Sequence, residues 1–136
     1  MAINKAFSQY KENAVFTSSP EELTLMLYNG LVKFIMQAQK AIEENDIEKA
    51  NSSIIRAQDI VNEFRMTLDM KYEVSKNLRL LYDYMYERLI KANIKKDNEI
   101  LEEVLNMAKE LRDTWAEAMK RAKKSSKGNA QMNIGV

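Results

Sequence analysis

The chain has 136 residues, with 21 lysines and arginines against 20 aspartates and glutamates, 3 glycines, 1 proline and neither cysteine nor histidine. That length suits a single domain burying about two thirds of its unfolded surface, and the missing cysteines exclude a disulfide framework and thiolate chemistry. The missing histidines exclude His-metal sites, the Glu-x-x-His pattern of di-iron bundles and the imidazole base of a triad.

Residues 1–18 place Ile3, Phe7, Tyr10 and Val15 in otherwise polar sequence, an apolar strip too short to fold alone. They contain no signal-peptide core, which argues against export by the general secretory route. Ser19-Pro20 with Glu22 then spells a helix N-terminus: cap, first-turn proline and an early carboxylate for the dipole. The first helix, expected over about 20–44, carries one apolar line through Leu23, Leu27, Leu31, Phe34, Ile35 and Ala38. A second line through Leu25, Tyr28, Val32 and Met36 lies beside it, so this helix has two faces to bury. Gly30 interrupts it and suggests close approach of a neighbouring backbone. The longest uncharged stretch, Leu23 to Val32, is far short of the roughly 20 residues that span a bilayer, so no membrane insertion is expected.

Asp46 can cap a second helix, expected over 46–70, with Ile47, Ala50, Ile54, Ala57, Val61, Phe64 and Leu68 at alternating spacings of three and four. Ser75 can cap a third over 75–94, with core residues Leu78, Leu81, Tyr82, Met85, Leu89 and Ala92. Asp97 can open a fourth over 98–123, along Leu101, Val104, Ala108, Leu111, Trp115 and Ala118. Short connections make successive helices antiparallel neighbours, so the expected fold is all-α, an up-down four-helix bundle. It forms one domain over 1–124, with 1–18 as a helical cap segment. After Lys124 the periodicity is lost and 125–136 is expected to be a disordered tail.

No phosphate-binding glycine loop can be assembled from glycines at 30, 128 and 135. The carboxylates Glu43-Glu44 and Glu102-Glu103 sit at helix ends or on outer faces, where nothing shelters a shifted pKa. No enzyme, cofactor or metal is expected. Lys120, Arg121, Lys123, Lys124 and Lys127 leave the rest of the chain acidic. No aromatic is interleaved among them, which favours a solvated helix end over a nucleic-acid surface. The surplus apolar surface is more informative. Tyr84 points away from Tyr82 and Tyr86 on a helix, Ile55, Ile60, Met66 and Met70 lie outside the second helix's seam, and 9 methionines suit a surface that repacks. Such surface can widen the core, join two copies, or hold an amphipathic segment of another protein.

Several blocks together resemble the flagellin-specific export chaperones of bacterial flagella, the FliS family. They are Tyr10-x-x-Asn13-x-Val15-x-Thr17, Pro20 to Gly30, Ala57-Gln58-Asp59-Ile60-Val61, Leu81-Tyr82-Asp83-Tyr84-Met85-Tyr86-Glu87-Arg88-Leu89 with Ala92-Asn93, and Leu111-Arg112-Asp113-Thr114-Trp115. The resemblance covers about residues 7–120. It implies a cytoplasmic (cytosolic), non-enzymatic chaperone of the type III export route, without cofactor. Such a chaperone binds the disordered C-terminal segment of flagellin, prevents premature polymerisation and delivers its client to an export-gate protein. No nucleic-acid partner is expected, and the free chain is expected to be a monomer or weak homodimer. The candidate partner-binding residues are Leu25, Tyr28, Val32, Ile55, Ile60, Met66 and Tyr84, with Phe7, Tyr10 and Val15 as a movable cover. The alternative is a self-associating structural bundle without a dedicated client.

Overall fold

The computed structural model describes residues 19–134; the expected cap segment, residues 1–18, lies outside them. Four helices follow in order: α1 (Pro20–Glu43), α2 (Ile47–Thr67), α3 (Glu73–Lys95) and α4 (Asn98–Ile134). Each packs on the next, and α4 closes on α1. With connections this short, sequence neighbours run antiparallel, and the fold is the expected all-α four-helix bundle.

The caps explain most boundaries. Ser19 is extended and its hydroxyl accepts from the Glu22 N–H at 3.2 Å, with Pro20 beginning the helix. α1 ends where Asn45 takes a φ of 59°, which lets the Asp46 N–H reach the Ala41 carbonyl at 2.8 Å. The Asp46 carboxylate then caps α2 by accepting from the Lys49 N–H at 3.1 Å. α3 ends at Lys96, also left-handed, whose ammonium donates to the Asn93 carbonyl at 2.7 Å.

Two expectations at boundaries fail. α2 stops at Thr67 and α3 begins at Glu73 behind Tyr72, so Ser75 is not its cap. Ser75 lies buried in the first turn, and its hydroxyl donates to the Asp69 carbonyl at 2.6 Å. A buried hydroxyl must find an acceptor, and the unwound end of α2 supplies one. The second concerns the end of α4: the helix, expected to about residue 123, continues in the backbone to Ile134. Extending an existing helix needs no new nucleus, so loss of apolar periodicity after Lys124 does not by itself stop it.

Leu31, Ile35, Ile54, Val61, Met85, Leu89, Leu101 and Val104 are fully buried, two from each helix. Each stabilises by roughly 1.5–3 kcal/mol relative to exposure. Polar bonds across the seams fix the register: Asn93 to Asn51 at 2.8 Å and Arg65 to Asp83 at 2.8 Å for α2–α3, and Gln39 to Glu102 at 2.7 Å for α1–α4. Gly30 does not admit a neighbouring backbone. A Cβ there would meet only the tip of Ile60, 3.4 Å from its Cδ1.

Candidate functional site

At one end of the bundle the helices leave an open cleft of ≈ 790 Å³. The start of α1 contributes Thr24 and Tyr28, the end of α2 Phe64 and Leu68, the start of α3 Val74, Leu78 and Tyr82, and α4 Met107, Leu111 and Trp115. The walls are apolar because these positions continue the core lines of the four helices past the level at which all four close together. The rim is polar, with Asp69 and Glu110 as its charged members. Trp115 is pinned there by its indole N–H, which donates to the Glu21 carbonyl at 2.9 Å and ties α4 to the first turn of α1.

The floor is an aromatic stack built by three helices. The Tyr28 ring packs on Phe64 with centroids 4.5 Å apart, and Phe64 on Tyr82 at 5.4 Å. The Tyr28 and Tyr82 hydroxyls meet at 2.8 Å. Burial pushes both phenols above their ordinary range; the shared bond restrains the rise at Tyr28 and adds to it at Tyr82. Both hydroxyls therefore stay protonated and neutral. Around the α2–α3 connection, Met66 at the end of α2, Met70 and Tyr72 between the helices and Val74 at the start of α3 are exposed, and Tyr72 and Val74 also line the cleft. That is an unusual apolar density for a turn, and it marks a surface with something to bury.

The seven candidate residues do not share one face. Tyr28 and Val32 are buried in the core, so the expected free apolar line on α1 holds only at Met36, which is 50% exposed. Tyr28 alone of the seven lines the cleft. Leu25 is half-buried, Ile60 fills the α1–α2 seam against Gly30, and Ile55 and Met66 face outward from α2. Tyr84 is 42% exposed and, as expected, points away from buried Tyr82 and half-buried Tyr86. Its hydroxyl donates to Glu103 at 2.8 Å, while the Arg88 guanidinium donates to the other oxygen of that carboxylate at 2.7 Å. The Tyr84 bond, then Arg88, holds the Glu103 carboxyl below its ordinary value. Phe7, Tyr10 and Val15 lie outside the described residues.

Sequence reasoning missed Phe64, Leu78 and Trp115 as lining residues because they sit on core lines, which periodicity cannot separate from cleft walls. It also missed Tyr72 and Val74, which it read as part of a connection. The available signal was that connection's own apolar content. Among the described residues no cluster of His, Cys, Asp or Glu could hold a metal ion, and no described helix is long and apolar enough to cross a membrane. The cleft combines apolar walls with the rim carboxylates Asp69 and Glu110, and it can hold an apolar segment.

Residues 3–122 match the family model described as flagellar protein FliS. The flagellar secretion chaperone FliS of Bacillus subtilis (strain 168) is 44% identical over 129 residues, covering 95% of this chain and 97% of that protein. The FliS of Escherichia coli (strain K12) is 32% identical over 111 residues, covering 79% and 82% respectively. A solved structure described as a flagellar chaperone from bacteria superposes with a TM-score of 0.70 at 16% identity, covering 86% of this chain and 97% of that one. At that identity the likeness speaks for the fold.

Proposed function

The chain belongs to the FliS family, and we propose that it is an export chaperone whose end cleft receives part of the disordered C-terminal segment of flagellin. The relatives above are flagellar secretion chaperones, which makes a secreted flagellar client the natural occupant. The observation that carries the reading is the open apolar cleft with Met66, Met70, Tyr72 and Val74 exposed beside it. An amphipathic segment that folds on binding loses about 2–5 kcal/mol to ordering, so it needs anchors in a desolvated pocket and further contact outside it. The cleft supplies the pocket, and the exposed turn supplies the extension.

On this reading the bound segment is kept from polymerising because its apolar stripe is covered, and the complex is handed to the export gate in the cytosol. The free chain is a monomer or weak dimer. The cover role of Phe7, Tyr10 and Val15 belongs to the same proposal. It is supported by connectivity, since the start of α1 is pinned at the cleft by Trp115. Ile55 and Tyr84 face away from the cleft and are reached only by a client that wraps further around the bundle.

Trp115 is the single tryptophan of the chain and lines the cleft, so its fluorescence reports occupancy. Titration with a flagellin C-terminal peptide is expected to shift the emission. Val74→Asp, at a site 61% exposed, is expected to weaken binding roughly tenfold or more while leaving the bundle folded. Ile94→Asp, also exposed but on the last turn of α3, is expected to leave it unchanged. Equal effects of the two substitutions, or none from Val74→Asp, would remove the cleft as the site.

A further inference from the structure

The Tyr28–Tyr82 pair holds one proton more than its own bond uses. Two hydroxyls that bond to each other carry two O–H donors, and only one hydrogen can lie between the oxygens. Among the described residues neither hydroxyl has another partner, and both residues are nearly fully buried, at 5% and 3% exposure. Both also line the cleft. The floor of a pocket with mainly apolar walls therefore carries a neutral donor awaiting an acceptor. In the free chain, water entering the open cleft can take this bond. A segment that fills the cleft expels the water and must replace the bond or lose affinity.

The geometry points to a specificity role for this pair: it donates its spare proton to a neutral carbonyl oxygen of the client segment, so the cleft selects a segment that brings an unpaired backbone carbonyl to its floor. The inference rests on the cleft being the client site. The acceptor is neutral because Asp69 and Glu110 line the cleft while no described Lys or Arg does, so a carboxylate would enter against like charge and without a counter-ion. Burial keeps both phenols protonated, so the donor persists at any working pH. Inside a helix each carbonyl is already used by the amide four residues on, whereas the last turn and any break leave carbonyls free. The segment over the floor is accordingly a helix end or an interruption, with apolar side chains to either side for Leu78 and Trp115.

Proton counting gives an unusual mutational signature. In Tyr28→Phe or Tyr82→Phe one hydroxyl survives, no longer needs its proton for the partner, and can still donate it to the client. Only the double variant Tyr28→Phe/Tyr82→Phe has no donor, while the aromatic stack keeps its shape. With the full chain and a flagellin C-terminal peptide, each single variant is expected to bind within about threefold of the parent, and the double variant roughly tenfold or more weaker. Circular dichroism unfolding establishes that all three variants are folded. A peptide series in which successive backbone amides are replaced by esters, whose carbonyls are poorer acceptors, provides the second measurement. One position should weaken binding to the parent and lose that effect against the double variant. Parental affinity in the double variant, single variants as weak as the double, or no ester position coupled to the pair would each overturn the inference. Those results with Val74→Asp still weakening binding would leave the cleft intact as the client site; an inert Val74→Asp would remove the cleft itself.

Discussion

Replacing Gly30 by alanine should make this bundle more stable. Gly30 lies inside α1 with helical residues on both sides, where glycine costs about 0.8–1.0 kcal/mol relative to alanine because it gives up more backbone freedom on folding. The added methyl would meet only Ile60 Cδ1 at 3.4 Å, an ordinary contact with the free end of a half-buried side chain. No backbone need move. The net expectation is a gain of about 1 kcal/mol, or roughly 3–5 °C in Tm for a domain of this length. Urea unfolding followed by far-UV circular dichroism should show a higher midpoint at an unchanged slope. Gly30→Leu, which must push Ile60 along the α1–α2 seam, should instead cost about 1–3 kcal/mol. A destabilised Gly30→Ala variant would refute the reasoning, because it would mean that α1 and α2 approach more closely than Ile60 indicates.

Leu89→Ala removes a side chain with no exposed surface, and the fixed registers around it limit collapse. A loss of about 2–5 kcal/mol is expected in the same unfolding experiment. The Glu103 carboxyl is held below its ordinary value by Tyr84 and Arg88. Its folded pKa is therefore lower than its unfolded one, so its contribution is present above the ordinary carboxylate range and is lost as pH falls through the folded value. Glu103→Gln should flatten the acid limb of the stability–pH profile below about pH 4.5 and leave the client affinity of the cleft unchanged. An unaltered acid limb would contradict the assigned partners.

The bundle was legible because each helix repeats its apolar residues at spacings of three and four over many turns, and Ser19, Asp46 and Asp97 announce three of the four starts. The α3 start was not, because Ser75 has the chemistry of a cap but a better use for its hydroxyl at the Asp69 carbonyl. The expected free apolar line on α1 is consumed for a related reason. Tyr28 and Val32 fall outside the first apolar line of α1, yet α1 packs on both α2 and α4, so both lines are consumed by the fold. A one-dimensional pattern counts apolar faces; it does not count the neighbours that will cover them. Gly30 invited a similar error, since a missing side chain says that space is needed without saying whether a backbone or a methyl group fills it.

The cleft has a cause that the same sequence contains. Two of the three connections, α1–α2 and α3–α4, lie at the end of the bundle opposite the cleft. There three of the four helices bury alanine: Ala38, Ala41, Ala50 and Ala92 are each at most 1% exposed, while α4 contributes Ile100 and Leu101. Interaxial distance follows the size of the side chains at the contact, so alanines at this level let α1, α2 and α3 approach one another closely. At the other end the corresponding positions are Tyr28, Phe64 and Tyr82, with Trp115 beyond them, and aromatic rings hold the helices apart. A bundle that is narrow at its alanine end and propped open at its aromatic end must leave a cavity beyond the last ring. Unless filled from outside, that cavity exposes apolar wall. The opening that a client would use is thus set by where the large and small residues fall along otherwise uniform helices, and the hydroxyls of the propping rings leave a polar anchor at its base.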